Sequence, residues 1–490
     1  MQKISSLLSY PLYSVAATQQ IERQSAISLA PHTLMQRAGL SVARLVLALA
    51  PHAQRIWVAC GPGNNGGDGL EAAANLQRWG KPTTVTWLGT RAVASPDTAA
   101  SLQRAIDAGV AFVEAPPERF DLVLDALLGI GARRAPQGQM AIWIGHMNQA
   151  AAPVLAVDLP TGLDADTGHC EGPHVRAHNT LSLITLKPGL FTAMGRDAAG
   201  QVWLDGLQLN PTDAAFAAIA RPCATYGGAP PGRLRHHASH KGSFGDVAIV
   251  GGAPGMAGAA LLAATAALHF GAGRVYLAAL DPGLSGTMFT QPELMLRHLD
   301  GLALGTMVVV CGCGGGDAVR AHLPRLLSGA VRLVLDADAL NAIAFDTQLQ
   351  GQLRARAARG WQTVLTPHPL EASRLLGTSS ASVQQDRLDS ARQLADRFHC
   401  TVVLKGSGTV LAAPDQIRRI NPTGDARLAT AGTGDVLAGA IGAALASGLP
   451  EAEAAWEAVY LHGLCADQWP AGVALTASML ATRLQAPSAT

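Results

Sequence analysis

Short apolar runs rich in β-branched residues alternate with longer segments of helical period along the first half of the chain. Each run has the length of a strand and is punctuated by Gly or Pro. This is the order of βαβ units, so the pattern predicts a mainly parallel sheet with helices on both faces. The predicted strands are residues 56–59, 83–88, 122–125 and 154–157, and the predicted helices include residues 70–79 and 97–108.

The same alternation starts again in the second half. Between the halves, around residues 210–240, Pro, Gly and His cluster as they do in an inter-domain linker. We therefore predict an α/β protein with an N-terminal Rossmann-like three-layer αβα domain (residues 1–220), a linker (221–239) and a second αβα domain (240–490). The second set of predicted strands is 247–250, 308–311, 331–335, 363–365 and 402–404, and a helix is predicted from Asp435 to near Ser447.

The composition supports two large cores. Of 490 residues, 49% are hydrophobic and only 14% are charged, which argues against disorder. The formal net charge of +1 provides no overall field for nucleic acid or an anionic membrane, and we expect neither partner. Anion binding must then come from local loops.

Seven scattered cysteines predict a reducing compartment, and we expect a cytoplasmic location. The first 17 residues lack the features of a signal peptide. The longest uncharged stretch, residues 247–268, is interrupted by Gly251, Gly252, Pro254 and Gly255. A strand, a loop and a helix explain it better than a membrane span.

The segment Gly61-Pro-Gly-Asn-Asn-Gly-Gly-Asp-Gly69 follows a predicted strand and opens a helix. Glycines let backbone N–H groups approach phosphate oxygens at a helix N-terminus. The segment matches G-x-G-x-x-G, but the next strand ends at Trp87 without the acidic residue that a dehydrogenase uses for the ribose. A ligand-free tight turn is the alternative, although Asn64, Asn65 and Asp68 are unusually polar for one.

Two later predicted strands end in acidic residues, Asp125 and Asp158, and Thr161 follows the second. Ligands collect at the carboxyl ends of parallel strands, so Asn65, Asp125 and Thr161 could converge there. They are hard oxygen ligands, suited to an alkali or alkaline-earth cation. Either Asp alone is also typical of a cap or turn.

In the second half, Thr430-Ala-Gly-Thr-Gly-Asp435 precedes a helix. Amides of residues 432–434 would form an anion hole, and Asp435 could take a proton from a hydroxyl nucleophile. An acidic residue in a first helical turn is the simpler alternative. Lys405-Gly-Ser-Gly-Thr409 could hold nucleotide phosphates, whereas His368 could equally be structural.

The first-half motifs at 61–69, 125–131 and 158–168, with Met35-Gln-Arg-Ala-Gly39, resemble the NAD(P)H-hydrate epimerase family (the YjeF N-terminal domain) over roughly residues 10–220. The resemblance implies K⁺ held by Asn65, Asp125 and Thr161, where the family usually has Ser at position 161. It also implies acid/base help from Asp158 when a carbinolamine opens and recloses. The implied substrate-binding residues are Asn64, Asn65, Gly66, Gly67, Asp68, Gly129, Ile130, Gly131, Ala132, Arg133, Arg134, Ala135 and Asp158.

The second-half motifs, with His240-Lys-Gly-Ser-Phe-Gly245 and Leu335-Asp-Ala-Asp-Ala-Leu340, resemble the ADP/ATP-dependent NAD(P)H-hydrate dehydratase family over about residues 230–485. The resemblance implies a ribokinase-like fold, Asp435 as the catalytic base, and Mg²⁺ with the nucleotide. The family usually has Gly where Leu370 stands. The implied substrate contacts are Ala259, Gly314, His368 and Asp435, and the implied nucleotide contacts are Lys405, Gly406, Ser407, Gly408, Thr409 and Gly434.

Together the resemblances imply a two-domain enzyme that repairs hydrated NADH and NADPH (NADHX and NADPHX) at the expense of ADP or ATP, and we expect a homo-oligomer. Two other hypotheses stay open at this point. One is a vitamin or sugar kinase with a regulatory first domain. The other is a non-enzymatic nucleotide sensor or scaffold.

Overall fold

The structure is a computed structural model that describes residues 1–92, 94–132, 134–209, 219–233, 236–284 and 291–486. The chain divides into two compact units, one formed by residues 1–5 and 10–226 and the other by residues 6–9 and 227–490. The division at residues 226 and 227 falls within the segment predicted to be a linker. That segment also contains the strand Ala224–Gly227.

The first unit is built on an eight-stranded sheet in the order β1-β9-β8-β7-β6-β3-β4-β5. Neighbouring strands run parallel except at the edge, where β1 pairs antiparallel with β9. Two further strands, β2 and β10, have residues in both units. The strands are β1 (Gln2–Lys3), β2 (Ser9–Leu12), β3 (Ile56–Cys60), β4 (Thr83–Trp87), β5 (Ala111–Val113), β6 (Leu122–Ala126), β7 (Val154–Val157), β8 (Asn179–Leu183), β9 (Gln201–Asp205) and β10 (Ala224–Gly227).

Helices cover both faces of this sheet, as the βαβ pattern predicts. Alternate residues of β3 point to opposite faces: Ile56 and Val58 pack into one core, and Trp57 and Ala59 into the other. The first core includes residues of α1, α2 and α3, and the second includes residues of α5. The helices are α1 (Val15–Ala26), α2 (Thr33–Leu49), α3 (Asn64–Arg78), α4 (Pro96–Asp107), α5 (Gln139–Gln149) and α6 (Gly195–Ala198).

The sheet of the second unit runs in the order β13-β12-β11-β14-β15-β16-β17-β18-β19. Pairing is parallel from β13 to β17 and antiparallel from β17 to β19. All five strands predicted for this half are present. The strands are β11 (Asp246–Gly251), β12 (Arg274–Ala279), β13 (Met295–Leu296), β14 (Val308–Cys311), β15 (Arg332–Leu335), β16 (Gln362–Leu365), β17 (Thr401–Leu404), β18 (Val410–Ala412) and β19 (Arg418–Ile420).

The second sheet is also buried on both faces. Val247 and Ile249 of β11 pack into a core with α7, α14, α15 and α16, and Ala248 and Val250 on the opposite face are equally buried. Two αβα units are therefore present, which confirms the predicted α/β class. The helices are α7 (Ala257–His269), α8 (Leu323–Gly329), α9 (Ala337–Ala344), α10 (Thr347–Ala355), α11 (Pro369–Leu376), α12 (Ser380–Gln385), α13 (Arg387–Phe398), α14 (Thr433–Ala446), α15 (Glu451–Asp467) and α16 (Ala477–Arg483).

The long apolar stretch of the second half forms most of β11, a loop and nearly all of α7, as its glycines predict. Within the described parts of the chain, no helix is both long enough and apolar enough to cross a membrane.

Candidate active sites

The Gly-rich segment after β3 is more helical than its composition predicts. Helix α3 begins at Asn64, six residues before the predicted start, and its N-cap Gly63 is extended with φ −93° and ψ −168°. The glycines permit close packing within this helix. A Cβ at Gly66 would lie 2.0 Å from the Gly61 carbonyl oxygen, and one at Gly69 would lie 2.5 Å from Cβ of Ala126. The first turns of α3 therefore pack closely against the ends of β3 and β6.

Asp125, at the end of β6, is fully buried and bonded to Thr161. The Thr161 backbone N–H donates to Oδ2 of Asp125 at 2.8 Å, and its hydroxyl donates to Oδ1 at 2.7 Å. The Thr161 hydroxyl in turn accepts from the Leu128 backbone N–H at 3.0 Å. Burial raises the pKa of Asp125 to about 6 despite these bonds. The predicted convergence of Asp125 and Thr161 is present.

Asn65 lies beside the same loop, next to Gly129, whose neighbour Leu128 donates to Thr161. Its side-chain nitrogen and oxygen are both buried and have no hydrogen-bond partner among the described residues. Gly129 lies beside the amide, since a Cβ there would be 3.2 Å from Cγ of Asn65. A buried amide without a partner is costly, so this one is well suited to a ligand. The donor set fits K⁺, which takes neutral and anionic oxygens together.

Asp158 follows β7 and is held by a buried ion pair that the sequence did not reveal. Its Oδ1 accepts from Nζ of Lys187 at 2.5 Å and from the Leu183 backbone N–H at 3.1 Å. Lys187 is fully buried and also donates to the Leu183 carbonyl oxygen at 2.8 Å. Asp158 itself has φ +64°, a left-handed conformation that non-glycine residues rarely adopt outside special sites.

Two other carboxyl groups of the first unit lie within electrostatic reach of Asp158. The pKa of Asp68 is raised well above its usual range by burial and then by Asp158 and Glu22. The pKa of Glu22 is raised by burial and Asp158, and Lys187 opposes this shift. Burial therefore favours the protonated form of Asp68, whereas Asp158 has the buried Lys187 ammonium as its partner.

The predicted substrate loop after β6 becomes more exposed from Leu127 to Ala132 and is half-buried again at Ala135. Leu127 is buried, Gly129 and Ile130 are half-buried, and Gly131 is exposed. The Ala132 N–H donates to the Gly129 carbonyl oxygen at 3.2 Å, which closes a turn. Ala132 and Arg134 are also exposed, Ala135 is half-buried, and Arg133 lies outside the described residues.

The remaining predicted contacts of the first site lie at the start of α3. Asn64 is exposed, and its Oδ1 accepts from the Ser95 hydroxyl at 2.7 Å. A Cβ at Gly67 would lie 2.6 Å from Sδ of Met35. Met35 belongs to the Met35–Gly39 motif, so this motif supports the helix that carries Asn64 and Asn65.

In the second unit, Lys405 follows β17 and donates to Oδ1 of Asp336 at 2.6 Å. Asp336 follows β15, is nearly fully buried, and also accepts from the Thr366 hydroxyl at 2.7 Å. A Cβ at Gly434 would lie 3.3 Å from Nζ of Lys405. The predicted nucleotide residues Lys405 and Gly434 are therefore adjacent.

Asp435 lies in the first turn of α14, which begins at Thr433, two residues before the predicted start. The N-cap Gly432 has φ +87°, which suits glycine. Burial and then Asp336 raise the pKa of Asp435 to about 6, while Cys313 and Lys405 oppose the shift. One of the three backbone amides predicted to form an anion hole already has an acceptor within the protein. The Thr433 N–H donates to the Thr430 carbonyl oxygen at 3.4 Å.

The predicted substrate residues Ala259 and Gly314 touch each other. Gly314 has φ +57°, and a Cβ there would lie 2.9 Å from Cβ of Ala259. The neighbouring Cys313 has its ligand atom within 4.8 Å of carboxylate oxygens of Asp336 and Asp435. The loop after β14 thus lies against the start of α7 and faces the Asp435 carboxylate.

His368 has a structural role at the N-cap of α11. Its Nδ1 accepts from the backbone N–H groups of Leu370 and Glu371 at 3.0 and 3.3 Å, and Nε2 lies 3.3 Å from Oε1 of Glu371. Burial lowers the pKa of His368, and burial raises that of Glu371 to about 7. Leu370, where the related family usually has Gly, has its side chain 45% exposed.

The loop of residues 405–409 is supported by a buried arginine that the sequence also did not reveal. Arg387 donates to the Leu404 and Lys405 carbonyl oxygens at 3.2 and 3.1 Å. Gly406 has φ +134°, and a Cβ there would lie 2.8 Å from the Arg387 guanidinium. The Thr409 hydroxyl donates to the Gly406 carbonyl oxygen at 3.1 Å. Arg387 therefore fixes the loop that also includes Ser407 and Gly408.

In the part of the chain that the structure describes, one cluster has ligand atoms close enough together to bind a metal ion. It consists of Cys313, Asp336 and Asp435. It does not fit Mg²⁺. Magnesium selects oxygen ligands, whereas one donor here is a thiol, and Lys405 already neutralises Asp336.

Comparison with known proteins gives two family matches. Residues 247–488 match the family described as NAD(P)H-hydrate dehydratase, and residues 31–189 match the family described as YjeF-related protein N-terminus. These spans contain every site residue described above except Glu22.

Full-length relatives combine both parts. The bifunctional NAD(P)H-hydrate repair enzyme Nnr of Escherichia coli K12 is 35% identical over 475 residues, covering 94% of this chain and 90% of the relative. The ADP-dependent (S)-NAD(P)H-hydrate dehydratase of Neisseria meningitidis serogroup B is 43% identical, covering 52% of this chain and 88% of the relative. A Bacillus subtilis ADP/ATP-dependent NAD(P)H-hydrate dehydratase, crystallised with ATP and Mg²⁺, is 31% identical with a TM-score of 0.43 and covers 52% of this chain and 91% of its own. The chain belongs to the family of bifunctional NAD(P)H-hydrate repair enzymes.

Proposed function

We propose that this chain repairs hydrated NADH and NADPH with two active sites. The first unit interconverts the R and S hydrates, and the second dehydrates the S hydrate with ADP or ATP, releasing AMP or ADP and phosphate. The observation that carries the proposal is the Asp435 carboxylate in the first turn of α14, close to Nζ of Lys405 and Gly434.

In the second unit, Asp435 takes the proton from the hydroxyl on ring carbon 6 of the hydrate. The hydroxyl oxygen attacks the terminal phosphorus of the nucleotide, and the bond from that phosphorus to the departing nucleotide breaks. Phosphate then leaves carbon 6 with its bonding electrons, and a proton leaves carbon 5, so a carbon–carbon double bond forms. Phosphorylation replaces hydroxide, a poor leaving group, with a good one.

The protein groups suit this sequence of steps. Because its pKa is about 6, Asp435 is mostly a carboxylate at pH 7 and remains basic enough to accept a proton. Lys405 and the N-terminus of α14 place positive potential where the transferring phosphoryl group would lie. We infer that residues 405–409 and Gly434 hold the nucleotide, and that Ala259, Gly314 and His368 line the hydrate side of the site.

A vitamin or sugar kinase could use a similar carboxylate beside a phosphate site. It would release a stable phosphorylated product, whereas the proposed reaction releases reduced cofactor and free phosphate. The match of the first part of the chain to the YjeF-related family favours hydrate repair, because an epimerase supplies the hydrate that the dehydratase consumes.

In the first unit, Asp158 takes the hydroxyl proton of the carbinolamine at ring carbon 6. The bond between ring nitrogen and carbon 6 breaks, an aldehyde forms at carbon 6, and the nitrogen receives a proton. Reclosure on the other face of the aldehyde reverses these steps and gives the other epimer. Asp68, whose pKa is raised well above its usual range, supports the proton transfers as a donor.

Asn65, Asp125 and Thr161 would hold K⁺ in this unit. Bound there, the ion would offset the charge of Asp125 and satisfy the amide oxygen of Asn65. In the second unit we assign no Mg²⁺ ligand and expect this ion to arrive with the nucleotide phosphates. We place both reactions in the cytoplasm, where the seven cysteines stay reduced.

The exchange Asp435→Asn tests the dehydratase. We expect dehydration of the S hydrate to fall by about 10²–10⁴-fold, because the amide cannot accept the hydroxyl proton. Wild-type protein should form NADH and phosphate in equal amounts from hydrate and ATP, as followed by absorbance and a phosphate assay. Epimerisation by the same variant is the control. Undiminished dehydration, or a stable phosphorylated hydrate from the wild-type protein, would overturn the assignment.

The exchange Asp158→Asn tests the epimerase. Asparagine tolerates the left-handed conformation of residue 158, so the backbone should be preserved while the base is lost. We expect conversion of pure R hydrate to S hydrate to slow by about 10²–10⁴-fold, measured by chromatography. Dehydration of S hydrate should stay at the wild-type rate. An unchanged rate of epimer conversion would remove Asp158 from the mechanism.

Substitution of Thr161 tests the cation site. Thr161→Val leaves Asp125 and the Leu128 N–H without their hydroxyl partner, which costs about 2 kcal/mol. We expect heat inactivation of epimerisation to occur about 5 °C lower and to lose its response to KCl relative to choline chloride. Thr161→Ser keeps the hydroxyl and should keep both properties. Equal stability and equal K⁺ response of the Val and Ser variants would rule out this cation site.

A further inference from the structure

Cys313 has a rigidly fixed backbone in the loop after β14. Its carbonyl oxygen accepts from the Gly252 N–H at 3.0 Å, and the next carbonyl, of Gly314, accepts from the Ala253 N–H at 2.7 Å. The flanking residues Gly312 and Gly314 have φ values of +118° and +57°, which suit glycine. The backbone from which the Cys313 side chain projects is therefore held in one place.

The Cys313 thiol faces two carboxylates rather than an apolar core alone. The side chain has 0% exposure, and its sulfur lies within 4.8 Å of carboxylate oxygens of Asp336 and Asp435. Burial and these two carboxylates raise the pKa of the thiol well above its usual range. The sulfur therefore keeps its hydrogen, and the Asp435 carboxylate within 4.8 Å is an acceptor to which it can donate.

Two other roles for this thiol fit less well. A catalytic nucleophile requires a thiolate, and the neighbouring carboxylates oppose its formation. A soft-metal site would need Asp336 as a free ligand, but Nζ of Lys405 lies 2.6 Å from its Oδ1. Donation to a neighbouring carboxylate is the role that the surroundings favour.

We propose that Cys313 is a positioning residue of the dehydratase: its thiol donates to the Asp435 carboxylate and keeps that group ionised and turned toward the substrate hydroxyl. This inference rests on the proposed dehydration by the second unit. It adds a residue that neither nucleotide nor hydrate needs to touch.

The charges around Asp435 determine the direction of the expected effect. Burial, Asp336 and Asp338 raise the pKa of Asp435, whereas the Cys313 thiol and Lys405 lower it. Removal of the thiol takes away one of the two groups that stabilise the carboxylate. The pKa of Asp435 should then rise above about 6, and the active, deprotonated base should be lost at a higher pH than in the wild-type protein.

Two further titratable groups lie near this site. His462 on α15 has Nε2 3.0 Å from the Thr433 carbonyl oxygen, and burial lowers its pKa to about 4, so it stays neutral in the relevant range. Glu371 faces Asp336 and Lys405, and burial raises its pKa to about 7. Cys313 is not among the groups that shift the pKa of His462 or Glu371. Substitution of Cys313 should therefore leave the titration of these two residues unchanged.

The test is the pH profile of kcat/KM for dehydration in Cys313→Ala, Cys313→Ser and a matched control, Cys311→Ala. Cys311 is equally buried two residues earlier, and burial alone raises the pKa of its thiol to about 12. We expect the acid limb of the profile, where kcat/KM falls as the base is protonated, to move up by about one pH unit in Cys313→Ala. The decrease in kcat/KM relative to the wild-type protein should then be several-fold larger at pH 6 than at pH 8. Cys313→Ser retains a donor and should restore the limb, and Cys311→Ala should not move it.

An acid limb of Cys313→Ala that coincides with that of Cys311→Ala would overturn the proposal. If the alanine variant does not fold, as judged by its melting temperature, Cys313→Val fills the space without a donor and takes its place. Loss of dehydration in Asp435→Asn combined with an unmoved limb in the Cys313 variants would reject this inference alone. Full dehydration in Asp435→Asn would instead reject the proposed function beneath it.

Discussion

The second site depends on one lysine that is paired with a buried carboxylate. Lys405 donates to Asp336, and its charge also opposes the rise in the pKa of Asp435. Asp336 is almost entirely buried, so without Lys405 it would be an unpaired buried charge, at a cost of several kcal/mol. The ends of β15 and β17 supply the ion pair, and Thr366, after the intervening β16, bonds to the same carboxylate. Three adjacent parallel strands thus converge on one contact, and its two charged groups shift the pKa of Asp435, the proposed base in α14.

The first site follows the same physical logic with different residues. Lys187 there neutralises Asp158, while Asp125 is held by the hydroxyl and amide of Thr161. In both units, carboxylates at the ends of parallel strands are kept buried because a specific partner compensates each one. The Asn65 amide differs from these carboxylates: it is buried with no hydrogen-bond partner among the residues that the structure describes, and this distinguishes the proposed cation site from the surrounding packing.

Much of this architecture could be predicted from local patterns. Glycine-punctuated apolar runs indicated the strands, and acidic residues at strand ends indicated the loops at which we propose the two active sites. Helix starts were less predictable: α3 begins at Asn64 because its glycines pack against Gly61 and Ala126, contacts between separate strands and a helix that composition does not reveal.

The partners of the predicted residues could not be found in the same way. Lys187 is 29 residues from Asp158, and Lys405 is 69 residues from Asp336, so only the folded sheet brings each pair together. Cys313 carried no signal beyond being a small residue at a strand end. His368 shows a different limit of prediction. Its position after a strand could be predicted from the sequence, but the use of its Nδ1 to cap α11 could not.

The central claim is that the hydroxyl oxygen of the hydrate attacks the nucleotide phosphorus with Asp435 as the base. The most direct test uses S hydrate labelled with ¹⁸O at the ring hydroxyl, with ATP and wild-type protein. The released phosphate is analysed by mass spectrometry, and unreacted hydrate from the same sample measures the label still present. We expect the phosphate to carry one ¹⁸O at the enrichment of that hydrate. Unlabelled phosphate formed from fully labelled hydrate would show that the carbon–oxygen bond breaks without phosphoryl transfer, and would contradict the account.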